Sequence, residues 1–261
     1  MASTLYDRAF FDDLHARVYR SARAIVPLVL DVLHPASVID IGCGTGTWLA
    51  AFVESGVHSI VGVDGDYVDR TTLEIPAMDF IAHDLTTPFV LDRRFDLVVS
   101  LEVAEHLPRA SAGAFVAALV ALGPAILFSA AIPGQGGVAH VNEQWQDYWA
   151  RLFLMHGYDV VDIIRPAIWS REDILPWYAQ NTLLYVNRDL LEHIPVLCAA
   201  GTNTWAMPLR VVHPTIFRGY VGLADIRRLS LRRWGEAMPY AFANAARRQL
   251  NKLRSLSRQG L

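Results

Sequence analysis

The chain has 261 residues, of which 53% are hydrophobic and 19% are charged, and its formal net charge is −3. This composition excludes a disordered or fibrous chain and is sufficient for one large globular domain, with or without helical additions. The two cysteines, Cys43 and Cys198, cannot form a disulfide framework. We therefore expect reduced thiols in a cytoplasmic protein, and the N-terminus lacks the charged-then-apolar order of a signal peptide.

The predicted elements alternate between helix and strand along most of the chain. Residues 5–33 carry apolar side chains at helical spacing, and Pro27 is predicted to open or kink a second helix. Helices are also predicted over 48–54 and 111–122, and strands over 38–41, 59–64, 79–83, 95–100, 125–131, 158–164 and 181–186. The alternation predicts an α/β fold with a doubly wound sheet.

One segment is long and apolar enough to suggest a transmembrane helix, because residues 112–132 carry no charge. Gly123 and Pro124 divide this segment into an alanine-rich helix and a short apolar strand. A helix followed by an apolar strand is the repeating unit of a covered parallel sheet. We therefore predict no membrane span here.

A glycine-rich turn follows the first predicted strand. Asp40 ends the apolar run, and Gly42, Gly44 and Gly46 come at every second position before a helix. A strand, a tight turn and a helix N-terminus place backbone N–H groups against a ligand. The spacing is not the G-x-G-x-x-G of dinucleotide-binding folds, which would need glycine where Thr47 stands.

The D-x-G-x-G-x-G order resembles motif I of the class I S-adenosylmethionine-dependent methyltransferases. Three later features keep that family's spacing: Asp64 at the end of a strand, the pair Asp84–Leu85, and the strand that ends at Ser100. The resemblance implies S-adenosylmethionine as cofactor and a Rossmann-like sheet of seven strands, the last antiparallel. It also implies a cofactor-binding set of Asp40, Gly42, Gly44, Gly46, Asp64, Asp84, Leu85 and Ser100. Within it, Asp64 would accept the ribose hydroxyls and Asp84 and Leu85 would hold adenine.

Two further segments carry the candidate catalytic residues. Glu102, Glu105 and His106 follow the strand that ends at Ser100, with the i, i+3, i+4 spacing that places side chains on one face of a helical turn. His140 lies in a glycine-rich loop after the next strand. In open α/β sheets the carboxyl ends of the strands share one edge, where ligands bind. We therefore expect these four side chains to meet there.

Two carboxylates and two imidazoles suit a divalent cation such as Mg²⁺ or Mn²⁺. The pattern resembles the metal-dependent small-RNA terminal 2′-O-methyltransferases and some quinone-biosynthesis O-methyltransferases. That resemblance implies Glu102, Glu105, His106 and His140 as metal ligands. The alternative is catalysis without metal, with His140 as general base and His106 as the second candidate, because imidazole ordinarily titrates near neutral pH.

The loop around His140 resembles those of bacterial methyltransferases from glycan and secondary-metabolite gene clusters. We expect O-methylation of a hydroxyl on a sugar, glycan or glycosylated small molecule. The acidic body argues against nucleic acid as the partner. RNA 2′-O-methylation and quinone-type O-methylation remain alternatives. An alternative of another class is a non-catalytic subunit that binds S-adenosylmethionine and scaffolds another enzyme.

The predicted domain organisation has three parts: an N-terminal helical cap at 1–34, the cofactor-binding domain at 35–187, and a C-terminal extension at 188–261. From Asp225 onward the chain has nine Arg and Lys residues against two acids. A basic, helix-prone tail on an acidic body can contact an anionic membrane surface or partner, or pack on its own body. Trp205, His213 and Phe217 suggest a packed segment before the tail.

Overall fold

The structure, a computed structural model, describes residues 8–204 and 209–224. Its strands are β1 (Ser37–Ile41), β2 (Ser59–Asp64), β3 (Phe80–Ala82), β4 (Leu97–Leu101), β5 (Ala125–Ser129), β6 (Tyr158–Val161) and β7 (Leu183–Asn187). Its helices are α1 (Arg8–Leu33), α2 (Thr47–Glu54), α3 (Ala112–Leu122), α4 (Gln146–Leu154), α5 (Ile164–Ile168), α6 (Pro176–Asn181), α7 (Arg188–His193), α8 (Pro195–Thr204) and α9 (Pro214–Ala224). Every predicted strand is present.

Within the described residues the strands form one seven-stranded sheet in the order β3-β2-β1-β4-β5-β7-β6. The pairs among β1 to β5 are parallel, and β7 is antiparallel to both β5 and β6. In the register of β1 and β2, Ile41 lies beside Val63, so the two strands end at nearly the same level. The predicted doubly wound, Rossmann-like fold is confirmed.

Helices cover both faces of the sheet because successive strand residues point to opposite sides. Val38 of β1 belongs to the core formed with α1, α2, α5 and α6, and the next residue, Ile39, belongs to the core formed with α3 and α4. The same alternation in β5 assigns Leu127 to the first core and Phe128 to the second. Burial on both faces explains why these strands read as continuous apolar runs.

The N-terminal helix differs from its prediction. Pro27 lies inside α1, which continues to Leu33, so it does not open a second helix. Ala22 and Ile25 of this helix are fully buried in the core that contains Trp48 of α2. Packing against the sheet therefore outweighs the helix-breaking tendency of one proline.

The chain divides into two compact units, residues 1–213 and 214–261. The predicted divisions after residues 34 and 187 both fall inside the first unit. In the second unit the structure describes α9 alone. Trp205 and the predicted basic tail from residue 225 lie outside the described residues. No described helix combines the length and the hydropathy that crossing a bilayer requires.

Phe128 is the aromatic centre of the second core. Its ring lies 5.3 Å from that of Trp149, 5.4 Å from that of Phe153 and 5.9 Å from that of Tyr185, measured between centroids. We expect Phe128→Ala to lower the free energy of unfolding by about 3–5 kcal/mol, because it removes a buried ring and leaves a cavity. Urea denaturation measures this, with Val90→Ala as control because Val90 is 88% exposed. A loss below about 1 kcal/mol would contradict this packing.

Candidate active site

The turn after β1 is built from three glycines with positive φ. The φ angles are 87° at Gly42, 56° at Gly44 and 91° at Gly46, in the left-handed region that favours glycine. The N–H of Gly42 donates to the carbonyl of Val63 at 2.7 Å, which connects the turn to the end of β2. The turn leads directly into α2 at Thr47. The predicted strand, turn and helix are therefore all present.

Gly42 is also required by a close contact. A Cβ at this position would overlap the side chain of Val103, which follows β4. Both residues line the same cavity. Glycine at 42 thus allows the end of β4 to approach the turn after β1.

Asp64, the last residue of β2, is 5% exposed. Its Oδ2 accepts the N–H of Gly44 at 2.7 Å. Its Oδ1 accepts the N–H of Gly65 at 2.6 Å and the hydroxyl of Tyr67 at 2.5 Å. This carboxylate therefore holds the glycine turn against the end of β2, and Tyr67 is a partner that sequence analysis did not identify.

A cavity of about 510 Å³ follows the carboxyl ends of β1 to β4. Its lining includes Gly42 after β1, Asp64 at the end of β2, Asp84 and Leu85 after β3, and Glu102 after β4. Residues far apart in the sequence thus line one space, because parallel strands end at one edge. His140 follows β5, the next strand in the sheet.

The remaining predicted cofactor residues fall into two groups. Asp84 is exposed at the cavity, and its Oδ1 accepts the N–H of Thr86 at 2.9 Å. Asp40 and Ser100 lie in the interior, 2% and 0% exposed. The hydroxyl of Ser100 donates to the carbonyl of Ile41 at 2.9 Å. The Ser100 hydroxyl thus joins β4 to β1. The cofactor contact predicted for Ser100 has no counterpart here, because this residue is fully buried and does not line the cavity.

Glu102 does not share a helical turn with Glu105 and His106, so that prediction is wrong. Its φ of 56° lies in the left-handed region, and its N–H donates to the carbonyl of Ser129 at 3.0 Å. Only after this bend does a short 3-10 helix form, at Ala104–His106. The bend therefore separates Glu102 from the helical turn that carries the other two, although its carboxyl stays close enough to affect that of Glu105.

Glu105, His106 and His140 form a cluster in which one potential ligand atom from each residue lies within 4.8 Å of the others. The backbone N–H groups of Val141 and Asn142 both donate to the carbonyl of Glu105, at 2.9 and 3.0 Å. The rings of His106 and His140 meet edge to face, with centroids 4.9 Å apart. The predicted meeting of the two segments is therefore observed for these three residues.

Glu102, the fourth predicted ligand, lies outside this group. Its Oε2 accepts the Nε2 amide of Gln135 at 2.9 Å, and its Oε1 accepts the Nδ2 amide of Asn181 at 3.1 Å. Asn181 also donates to the Oε1 of Gln135 at 2.9 Å. Each carboxylate oxygen of Glu102 is thus held by a neutral amide.

The comparisons with known proteins agree with this arrangement. A family model described as a methyltransferase domain matches residues 14–163, more than half of the chain. The chain belongs to this methyltransferase family. A methyltransferase domain agrees with the S-adenosylmethionine cofactor that the resemblance of the glycine turn implies. No curated protein sequence matches the chain.

Solved structures match the methyltransferase at the level of the fold. A Bacillus halodurans C-125 protein assigned as a methyltransferase is 19% identical, with a TM-score of 0.40, and covers 48% of this chain. An O-methyltransferase family protein from Burkholderia thailandensis is 16% identical (TM-score 0.51) and covers 70% of this chain. Streptomyces venezuelae DesVI is 15% identical (TM-score 0.50); the match covers 71% of this chain and 100% of that one. The methyltransferase spans 63% and 60% of the lengths of the first two, less than two thirds.

Burial shifts the pKa values of two residues in the cluster of Glu105, His106 and His140. It raises the pKa of the Glu105 carboxyl well above its usual range, and the charge of Glu102 adds to this effect. Burial also lowers the pKa of His106, and the charge of His140 lowers it further. Without a cation the groups therefore favour a protonated carboxyl beside a neutral imidazole. A bound cation would reverse this preference for the carboxyl.

The donor set fits a transition metal better than Mg²⁺. Both carboxylate oxygens of Glu105 are buried and accept no hydrogen bond of ordinary geometry from any described residue. Two imidazoles and one carboxylate suit Mn²⁺, Fe²⁺ or Zn²⁺, whereas Mg²⁺ prefers oxygen ligands and retained waters. Of the two predicted cations, Mn²⁺ is the better match to Glu105, His106 and His140.

Glu143, three residues after His140, is a further residue of this site. Its Oε1 accepts the Nδ1 of His140 at 3.0 Å and the N–H of Gly136 at 2.9 Å. Its Oε2 accepts the N–H of Gly134 at 2.6 Å. A carboxylate on Nδ1 fixes the tautomer and leaves Nε2 as the acceptor or ligand atom. An acid three residues after a histidine, in a glycine-rich loop, is the sequence feature that could have indicated this contact.

Gly137 is expected to control the position of His140. A Cβ at residue 137 would overlap the His140 imidazole, with Nε2 as the nearest atom. We expect Gly137→Ala to lower kcat by about 10²-fold, because small displacements of catalytic groups have effects of that size. Affinity for S-adenosylhomocysteine should not change. The control is Gly113→Ala, since a Cβ there meets nothing within 4 Å. Unchanged kcat in Gly137→Ala would contradict this close contact.

Proposed function

We propose that the enzyme transfers a methyl group to a hydroxyl of a sugar, glycan or glycosylated small molecule, with assistance from a divalent metal. The observation that carries this proposal is the cluster of Glu105, His106 and His140 beside the strand ends that line the cavity. Amines and thiols lose a proton more readily than alcohols do and depend less on such a cluster. An alcohol needs it, because a hydroxyl is almost fully protonated at neutral pH.

The reaction is an in-line displacement on the sulfonium methyl. A lone pair of the acceptor oxygen attacks the methyl carbon, and the carbon–sulfur bond breaks with its electrons moving to sulfur. The products are the methyl ether and S-adenosylhomocysteine, and the hydroxyl proton must leave. The protein's contribution is to hold the oxygen about 3 Å from the methyl in the correct direction.

Glu105, His106 and His140 would hold the metal. When bound, a divalent metal supplies Lewis acidity, which lowers the pKa of a coordinated hydroxyl. A vicinal diol suits such a site, because it offers two neighbouring oxygens. Without metal, the Nε2 of His140 would take the proton, since Glu143 accepts from its Nδ1.

The surroundings of His140 support an acceptor with an apolar portion. Val138 and Val141 flank this histidine in the sequence and are 75% and 64% exposed. Two exposed branched side chains beside a polar reaction centre favour an amphipathic ligand over a uniformly polar one. A glycosylated small molecule has both a hydroxyl-rich sugar and an apolar part, and this favours it over free sugar.

The test is transfer of labelled methyl from S-adenosylmethionine to a panel of free sugars, glycosides, quinone-type phenols and RNA, with and without chelator. We expect incorporation into glycosides, its loss on chelation, and its return with Mn²⁺. Incorporation that resists chelation would contradict the metal and leave His140 as base. Incorporation into RNA or a quinone-type phenol alone would overturn the acceptor. No incorporation anywhere would favour the scaffold alternative.

A further inference from the structure

Tyr67 has an unusual combination of exposure and contact. The residue is 85% exposed, yet its hydroxyl donates to the Oδ1 of buried Asp64 at 2.5 Å. Its ring lies against Gly65, where a Cβ would overlap ring atoms. Tyr67, Asp64 and Gly65 all line the 510 Å³ cavity. An exposed aromatic side chain thus extends over one end of this cavity.

The hydrogen-bonding capacity of Asp64 is nearly used up. A carboxylate has about four acceptor positions, two on each oxygen. Oδ1 accepts the N–H of Gly65 and the hydroxyl of Tyr67, and Oδ2 accepts the N–H of Gly44. About one position therefore remains, on Oδ2.

A ribose with two free hydroxyls needs two positions on this carboxylate if both hydroxyls donate to it. The backbone donors of Gly44 and Gly65 belong to the turn and to the end of β2, so they stay in place. The hydroxyl of Tyr67 is on an exposed side chain and is the one donor among the three that rotation about side-chain bonds can remove.

We propose that Tyr67 is a displaceable cap on the ribose subsite, whose hydroxyl donates to Asp64 and leaves this carboxylate when the cofactor enters. This inference rests on the proposed role of Asp64 in binding the ribose. The ring then moves off Gly65 and opens that side of the cavity to the nucleoside. Substrate and product carry the same ribose, so the cap weakens S-adenosylmethionine and S-adenosylhomocysteine alike.

The Tyr67→Phe variant removes the competing hydroxyl and retains the ring. A hydrogen bond to a charged group changes an equilibrium constant by about an order of magnitude, and water recovers part of this in the variant. We expect Tyr67→Phe to bind S-adenosylhomocysteine about five- to tenfold more tightly by titration calorimetry, with slower dissociation. Because Tyr67 is exposed, the variant should fold as the parent does, which its melting temperature will verify.

The matched control is Tyr19→Phe. The hydroxyl of Tyr19 also donates to a carboxylate, that of Glu54, and both belong to helices rather than to the cavity. The control should leave the affinity unchanged. Equal affinities of Tyr67→Phe and the parent, or weaker binding by the variant, would overturn the proposal. Weaker binding would mean that the hydroxyl contacts the bound cofactor.

Asp64→Asn belongs in the same series, because it separates two kinds of failure. If Asp64→Asn binds as the parent does, the ribose subsite is elsewhere and the cap proposal falls with it. If Asp64→Asn binds weakly while Tyr67→Phe is unchanged, the subsite stands and the cap alone is wrong. Neither binding measurement requires an acceptor or a metal. Failure of the proposed methylation reaction would therefore appear only in the labelled-methyl assay and not in these titrations.

Discussion

Replacing His140 with alanine is expected to lower kcat for methyl transfer by about 10²- to 10⁴-fold, the range for loss of a general base. The ring lies edge to face with His106, and its Nδ1 contacts Glu143, so Nε2 is the nitrogen left to act on the acceptor. If the cluster binds a metal, the variant removes one of three ligands, and the loss should be at least as large. Single-turnover assays with labelled cofactor measure it.

The His140→Ala experiment has a matched control in His58→Ala. His58 is exposed and directly precedes β2, so it lies at the opposite edge of the sheet. It should retain the parent kcat. Both variants should bind S-adenosylhomocysteine as the parent does, because neither residue follows β1, β2 or β3 at the cavity edge. A His140→Ala enzyme with more than a tenth of the parent activity would remove this residue from the mechanism.

Asp64→Asn is expected to raise the dissociation constant of S-adenosylhomocysteine by about 100-fold. The variant removes the charge that we expect to accept the ribose hydroxyls. Its NH₂ group also replaces an acceptor of either the Gly44 or the Gly65 N–H, because these donate to different oxygens. The variant loses two charge-assisted hydrogen bonds and gains weaker amide contacts in their place. The net loss of binding free energy is about 2.7 kcal/mol, which is the 100-fold change. Titration calorimetry measures the change.

The control for Asp64→Asn is Asp92→Asn, which removes one carboxylate charge from an exposed position before β4. Its affinity should equal that of the parent, so any general effect of net charge is excluded. Circular dichroism should show that both variants keep the parent fold at the temperature of titration. A change below threefold in Asp64→Asn would contradict the assignment of this residue to the ribose.

The fold was predictable because each level of the sequence agrees with the others. The apolar runs, the glycine turn and the helix between strands all indicate a covered parallel sheet. The predicted second helix at Pro27 was wrong because a proline acts locally. Burial of residues such as Ile25 in the core with α2 and the sheet stabilises α1 as one helix. Tertiary packing was not visible in the local pattern.

The site was predictable in its location and less so in its geometry. The order of strand ends brings Asp64, Asp84 and Glu102 to one cavity, and this follows from parallel topology alone. The left-handed φ of Glu102 does not follow, because helical spacing assumes a continuous helical turn. Long-range partners such as Asn181 on Glu102 depend on the packed structure and have no sequence signature.

The contacts of Tyr67 and Glu143 were also not identifiable from the sequence. Each contacts a residue only three positions away, Asp64 and His140, so both contacts are local. Spacing alone could not identify them, because side chains three apart meet only when the intervening loop turns back. A turn closed by the hydrogen bond from the Val68 N–H to the carbonyl of Gly65 brings Tyr67 beside Asp64, and the N–H groups of Gly134 and Gly136 hold Glu143 beside His140.

The most direct test of the account is a crystal structure of the enzyme with S-adenosylhomocysteine, grown in the presence of Mn²⁺ and recorded at the manganese absorption edge. The account predicts the ribose hydroxyls within hydrogen-bond distance of Asp64 and the sulfur at the Glu102 end of the cavity. It also predicts an anomalous peak among Glu105, His106 and His140. A ribose bound away from Asp64, or a sulfur pointing away from His140, would contradict it.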